Sequence, residues 1–325
     1  MQYDDTIVGA GSSGAVLAAR LSEDPTRSVL LLEAGSDYAT VDQMPDDLLH
    51  SFASMAAHDW GLIAEATPGR EIPYSRGKVT GGCSAINATL ALRGTPQDFD
   101  EWDEAGNNEW SFAKVLPFYR KLENNQDCGG DFHGGNGPIQ IERTPKEAWQ
   151  PLGQAFFDAC HAASFAEVTD HNAPASTGVR PTPRNRHKRV RISTALGYLN
   201  AVRHRLNFTI RSRANAHRVL VENGRAIGIE VTCGGIVQRI HGRRITLSAG
   251  AINSPAILMR SGIGPRLELE ALGIKCLVDL AGVGKNLIDH PMVFIAAKPV
   301  PVLAHEPYIT TPIIVRCTAG SSDEC

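Results

Sequence analysis

The feature that most constrains this chain is a glycine turn set between a strand and a helix. Thr6-Ile7-Val8 reads as a short buried strand, Gly9-Ala10-Gly11-Ser12-Ser13-Gly14 as a tight turn, and Ala15 to Glu23 as a helix stopped by Asp24-Pro25. A second apolar strand, Ser28 to Glu33, has the character of one covered on both faces. This is the βαβ context in which Gly-x-Gly-x-x-Gly acquires meaning. Gly9 permits the tight turn, Gly11 lets the backbone approach a pyrophosphate, and Gly14 lets helix and strand pack closely. The amides of Ser12 and Ser13, at the helix N-terminus, are placed for phosphate oxygens. Glu33, about 20 residues further on, can accept both hydroxyl protons of an adenosine ribose and repels a 2′-phosphate, which argues against NADP. The turn predicts dinucleotide binding; by itself it does not separate NAD from FAD.

Composition removes other classes. Lys+Arg 32 against Asp+Glu 35 gives a net charge of −3, so there is no basic field for nucleic acid. No stretch approaches the ~18 apolar residues of a membrane span, and no secretory signal is visible at the start. The seven cysteines are scattered, with no CxxC pair; reduced thiols and a cytoplasmic location are expected. Neither metal-ligand spacing nor HExxH occurs, so no metal site is expected.

Along the rest of the chain, residues 37–75 read as irregular with one short helix near 46–56. Helices are expected around Asp98–Glu104, Ser111–Leu122 and Pro151–Ala163, with an edge strand at Gly137–Ile141. Residues 164–192 read as a long loop, followed by a short helix over Ser193–Val202 and a strand over Asn207–Arg211. A β-meander follows: Arg218–Glu222 and Arg225–Val231 flank Asn223-Gly224, a strong hairpin signal, and Gly234-Gly235 turns into Ile236–His241. Ile245-Thr246-Leu247 reads as a separate buried strand, and Ser254-Pro255 as the start of a helix.

A second glycine knot, Arg76 to Ala88, separates the cofactors. A nicotinamide enzyme has no evident need for another Gly-Gly approach point, whereas a flavin dinucleotide is longer and must be held at both ends. Here the chain resembles the glucose–methanol–choline (GMC) family of FAD-dependent oxidoreductases, choline dehydrogenase-like within it. The first family signature corresponds to Gly77-Lys78-Val79-Thr80-Gly81-Gly82-Cys83-Ser84-Ala85-Ile86-Asn87-Ala88-Thr89-Leu90-Ala91, with Thr80 in place of an aliphatic residue and Cys83 where Gly, Ser or Thr is usual. The second is matched throughout: Gly250-Ala251-Ile252-Asn253-Ser254-Pro255-Ala256-Ile257-Leu258-Met259-Arg260-Ser261-Gly262-Ile263-Gly264. Val283–His290 and Ser193–Leu199 also look familial.

The resemblance implies an α/β fold: a Rossmann-like FAD-binding domain with an incomplete α+β substrate domain. Its expected parts are 1–136 and 193–292 for the flavin domain, 137–192 and 293–325 for the substrate domain. It implies that Gly9 to Gly14, Glu33 and Ala34 hold the ADP half. Val79, Gly81, Gly82, Asn87, Ala88, Thr89 and Leu90 would lie along the ribityl chain and flavin ring. Ala216 falls where the family usually has a Val whose backbone faces the adenine. Some relatives attach FAD through a His of the first signature; Ile86 stands there, so non-covalent FAD is expected.

Other residues invite roles that a plainer account covers. His290 is expected to be structural, Cys83 a small buried thiol that packs, and His187-Lys188-Arg189-Val190-Arg191 a solvated loop. His171 and Asn172 receive no chemistry. The family reaction takes a hydride from an alcohol carbon to flavin N5 while a base, suited to His, takes the hydroxyl proton. That base lies in a C-terminal family segment with no counterpart before Cys325, so no catalytic residue is assigned and truncation is expected. The expected function is oxidation of a small-molecule alcohol, with the alcohol and the electron acceptor unspecified. The alternatives are a catalytically inactive flavin-binding remnant and a NAD-dependent dehydrogenase.

Overall fold

The computed structural model describes residues 2–50, 56–174, 176–290, 293, 295 and 313–317. The chain divides into two compact units, Met1–Asn87 with Ile192–Val293, and Ala88–Arg191 with Phe294–Cys325. The leading segment of the first unit leaves off at residue 87. The stretch that follows is tied into the second unit: Glu123–Asn125 pairs with Ile139–Ile141, and the Arg93 amide donates to Asn172 Oδ1.

The first unit is built on a six-stranded sheet. Its strands are β1 (Gln2–Val8), β2 (Val29–Leu32), β3 (Phe208–Arg211), β4 (Ala214–Glu222), β5 (Arg225–Cys233) and β6 (Ile236–Leu247), in the order β3-β2-β1-β6-β5-β4. The β3, β2, β1 and β6 pairings are parallel; β6–β5 and β5–β4 are antiparallel. All four residues of β2 are buried, which is why it reads as an unbroken apolar run. Helix α1 (Ser12–Leu21) follows β1, and α2 (Gly250–Arg260) follows β6. One core spans the parallel and antiparallel parts: Leu30 and Leu32 of β2 share it with Ile229 and Val231 of β5 and Ile257 of α2.

The structure changes several sequence-based expectations. The meander strand at Ile236 and the buried strand at Ile245 are one 12-residue strand. Its first half pairs antiparallel with β5 and its second half parallel with β1, changing partner at His241. The charged residues Arg243 and Arg244 hide this continuity, because β6 is only half covered there. Helix α2 begins at Gly250, four residues before Ser254; the Ser254 hydroxyl accepts from the Ala249 amide inside the first turns. Residues 37–75 are not merely irregular, since Leu62–Thr67 and Arg70–Tyr74 form a hairpin turned by Gly69 at φ +77°. Ser193–Val202 holds a single π turn over Ala195–Leu199. The Asn223-Gly224 hairpin is present, with both residues at positive φ as a type I′ turn requires.

In the second unit, helices cover Pro96–Glu104, Phe112–Leu122 and Pro151–Ala162. The expected loop 164–192 contains a strand, Gly178–Pro181, which pairs antiparallel with Ile313–Arg316. Its basic residues are not all solvated. Arg184 and Arg191 are each only 1% exposed, and Lys188 and Arg189 at the tip are exposed. Arg184 reaches the Ala88 carbonyl at 2.7 Å and Thr89 Oγ1 at 3.2 Å. Burial lowers its pKa to about 10.

Candidate functional site

In the first unit a cavity of about 440 Å³ opens at the carboxyl ends of β1, β2 and β6, where open α/β sheets place their ligands. Gly9, Gly11, Ser12, Ser13, Glu33, Ala34, Gly82 and Ala216 line it. Gly14, Val79, Gly81 and Asn87 belong to the same unit but do not line it. Ala88, Thr89 and Leu90 fall in the second unit.

The glycines have separable tasks. Gly9, at φ +98°, lies so near the end of β6 that a Cβ would sit 2.4 Å from the Ser248 carbonyl oxygen. A Cβ on Gly14 would sit 1.9 Å from the Gly9 oxygen, so that glycine serves packing behind the cavity wall. Gly11, the N-cap of α1, has only the Gly82 Cα near it at 3.8 Å, which leaves its open face to the cavity. The second knot docks on this turn through backbone: the Gly81 amide donates to the Ala10 carbonyl at 2.7 Å. Gly81 and Val79 thus hold the knot in place, Val79 being fully buried beside Met44, Leu48, Ala85 and Ile86.

Glu33 is 6% exposed at the end of β2. Its Oε2 accepts the Ala10 amide at 3.0 Å and its Oε1 the Gly35 amide at 2.8 Å. Burial pushes its pKa up to about 7 despite those amides and that of Ala34, which favour the carboxylate. The bonds fix the carboxyl on the cavity wall with lone pairs left for a hydroxyl donor.

Cys83 corrects an expectation: it is exposed, not buried, and lines the cavity. Its sulfur lies 3.5 Å from the Gly77 amide, a weak acceptor contact. Sequence reasoning did not assign Trp60, Arg76 or the Ser248–Asn253 turn to the cavity, yet all line it. The signal for the last was present, since Ser248-Ala249-Gly250 directly follows a buried-looking strand and opens the second family signature.

The donor set fits a dinucleotide: a glycine-lined approach to a helix N-terminus, an acidic residue placed for a ribose, and apolar walls from Val8, Leu32 and Ile257. Among the described residues one cluster has metal-ligand chemistry, Cys128, His133 and Asp170 in the second unit. It does not suit a cation. His133 Nδ1 faces Glu123 at 2.9 Å and its Nε2 faces Asp170 at 3.1 Å, while Arg93 and Arg143 pair with those same carboxylates. The two carboxylates raise the His133 pKa to about 9, leaving both nitrogens as N–H donors. No helix among the described residues is long and apolar enough to cross a membrane.

Comparison with known proteins agrees with this geometry. The family profile "GMC oxidoreductase" matches residues 3–292, and the chain belongs to that family. It is 38% identical over 296 residues to an uncharacterised GMC-type oxidoreductase of the thcA 5′ region in Rhodococcus erythropolis, covering 90% of this chain and 59% of that protein. It is 38% identical over 316 residues to an oxygen-dependent choline dehydrogenase of Sinorhizobium medicae, covering 95% and 57%. Among solved structures, pyridoxine 4-oxidase from Mesorbium loti is similar at TM-score 0.80 and 36% identity over 86% of this chain and 56% of that one. The chain spans about half the length of the relatives it matches.

Proposed function

We propose that this chain binds FAD non-covalently in the cavity of its first unit and serves an oxidoreductase that acts on the CH–OH group of an alcohol. The observation that carries this is the meeting of two glycine segments, Gly9–Gly14 and Gly77–Gly82, on one cavity beside Glu33. A nicotinamide site needs only the first of them. The names of the relatives support an alcohol substrate, and an FAD-dependent oxidoreductase from Chaetomium thermophilum is similar in structure, at TM-score 0.79 and 30% identity over 86% of this chain and 51% of that one.

The bound flavin would supply a hydride acceptor at N5. The chain's own residues bind and orient. The Ser12 and Ser13 amides, with the positive end of α1, receive phosphate oxygens. Glu33 accepts ribose hydroxyl protons, and the Ala216 backbone faces the adenine. Gly82, with no side chain, lets the second knot lie directly against Gly11. Non-covalent attachment is supported by Ile86, which is buried among Val79, Ala85 and Leu48 and has no atom able to form such a bond.

The test is the visible absorption of the purified chain after incubation with FAD, before and after acid precipitation. Flavin bands that pass to the supernatant are the expected result. A chain that takes up no FAD, or holds it in the precipitate, overturns the proposal in its first or second part. Turnover of alcohols with an artificial acceptor then separates an enzyme from a flavin-binding chain without activity.

A further inference from the structure

The geometry points to Arg76 as the cationic group that binds the diphosphate of the cofactor, with Tyr74 and Asp289 as the residues that position it; this rests on the flavin dinucleotide site proposed above. Backbone contacts carry the placement. A Cβ on Gly77, the next residue, would lie 2.4 Å from the Gly82 carbonyl carbon. A Cβ on Gly82 would lie 2.7 Å from the Gly11 Cα. Gly11 is the N-cap of α1, so two successive glycine contacts bring the Arg76 backbone toward that helix N-terminus. Arg76 and Gly11–Ser13 line the same cavity. The Arg76 guanidinium, its charge shared with Asp289, and the roughly half positive charge of a ten-residue helix therefore serve one cavity. A dinucleotide diphosphate carries two negative charges, more than the helix alone can match.

The guanidinium is held in place. It stacks 3.7 Å from the centroid of the Tyr74 ring. One terminal nitrogen donates to the Ser75 carbonyl at 2.8 Å and the other to Asp289 Oδ2 at 2.8 Å. The same Asp289 oxygen accepts the Tyr74 hydroxyl at 2.8 Å. The Tyr74 and Arg76 bonds hold the Asp289 carboxyl below the usual carboxylate range, and Asp289 raises the Tyr74 phenol so that it stays a donor. Arginine has five N–H donors in a fixed fork, and these bonds use two. The remainder suit phosphate oxygens, with little ordering left to do on binding. The Asp289-His290 stretch thereby gains a role through Asp289, not through His290, whose side chain is 82% exposed.

The test is the dissociation constant of FAD, by flavin fluorescence, for the wild-type chain, R76Q and R76K at low and high salt. R76Q is expected to weaken binding by about ten- to a hundredfold, the worth of a hydrogen bond to a charged group, and to flatten its salt dependence. R76K keeps the charge but loses the stacked fork, so it should fall between the two with the salt dependence retained. R76Q within twofold of wild type overturns the inference, and so does weakening with an unchanged salt slope, which marks a merely structural ion pair. Should R76Q not fold, the same measurement on D289N decides: weakened binding supports the positioning role, and binding within twofold of wild type overturns it. A wild-type chain that takes up no FAD at all instead removes the flavin proposal beneath.

Discussion

His133 Nδ1 and Glu123 Oε1 lie 2.9 Å apart in the interior of the second unit, and Asp170 faces the opposite ring nitrogen. The folded state therefore favours the imidazolium, with a pKa of about 9 against an ordinary 6.5. A raised histidine pKa contributes its stability in full below 6.5 and loses it as pH rises through about 9. The thermal midpoint should fall between pH 7 and pH 10 for this reason. H133Q should abolish that component of the slope and cost about 1.5–3 kcal/mol, as losing a hydrogen bond between charged groups does, because Arg93 and Arg143 still pair with the two carboxylates. Circular dichroism melts across this pH range on both chains check it.

Glu33 gives the opposite chemistry with the same sign. Its folded pKa of about 7 exceeds the unfolded 4.5, so the neutral form is favoured and its stabilisation is lost as pH rises from 4.5 through 7. Cofactor binding should run the other way, because the ionised carboxylate is the stronger acceptor for ribose hydroxyls. FAD affinity should rise as pH passes 7 in the wild-type chain and stay flat in E33Q. At pH 8, E33Q should bind about ten- to a hundredfold more weakly. Fluorescence titrations at several pH values measure both effects.

Gly14 allows no side chain. A Cβ 1.9 Å from the Gly9 oxygen must push β1 and α1 apart, so G14A should cost more than about 3 kcal/mol or prevent folding. Gly282 has no atom within 4 Å of the same construction, and G282A should change stability by less than about 0.5 kcal/mol. Urea denaturation of the two variants makes the comparison.

The exposed Cys83 thiol lines the proposed cofactor cavity. A maleimide should label it in the chain without cofactor, and saturating FAD should slow that labelling at least about tenfold, since a tight ligand leaves few free sites. Peptide mapping by mass spectrometry separates it from Cys317, which is also exposed. C83S should bind FAD within twofold of wild type.

The local pattern by itself determined the βαβ start, the glycine turn, Glu33 at its strand end, and the Asn223-Gly224 hairpin. These depend on neighbours in sequence: period, caps and positive φ are properties of short stretches. The match of two glycine segments to a family pointed to the flavin class, but not to their contact. Only the tertiary structure decided that Gly82 lies against Gly11 and that Val79 and Gly81 dock the knot without lining the cavity. It alone exposed Cys83 and carried Arg76 toward the α1 N-terminus. Burial could not be read at Cys83 because a small residue in a glycine knot suits either side of a wall. Nor could it be read at Arg184 and Arg191, whose charges usually mark solvent and here are buried in the second unit. The change of partner along β6 was equally hidden, because a strand records its own alternation but not which neighbours its two halves will meet.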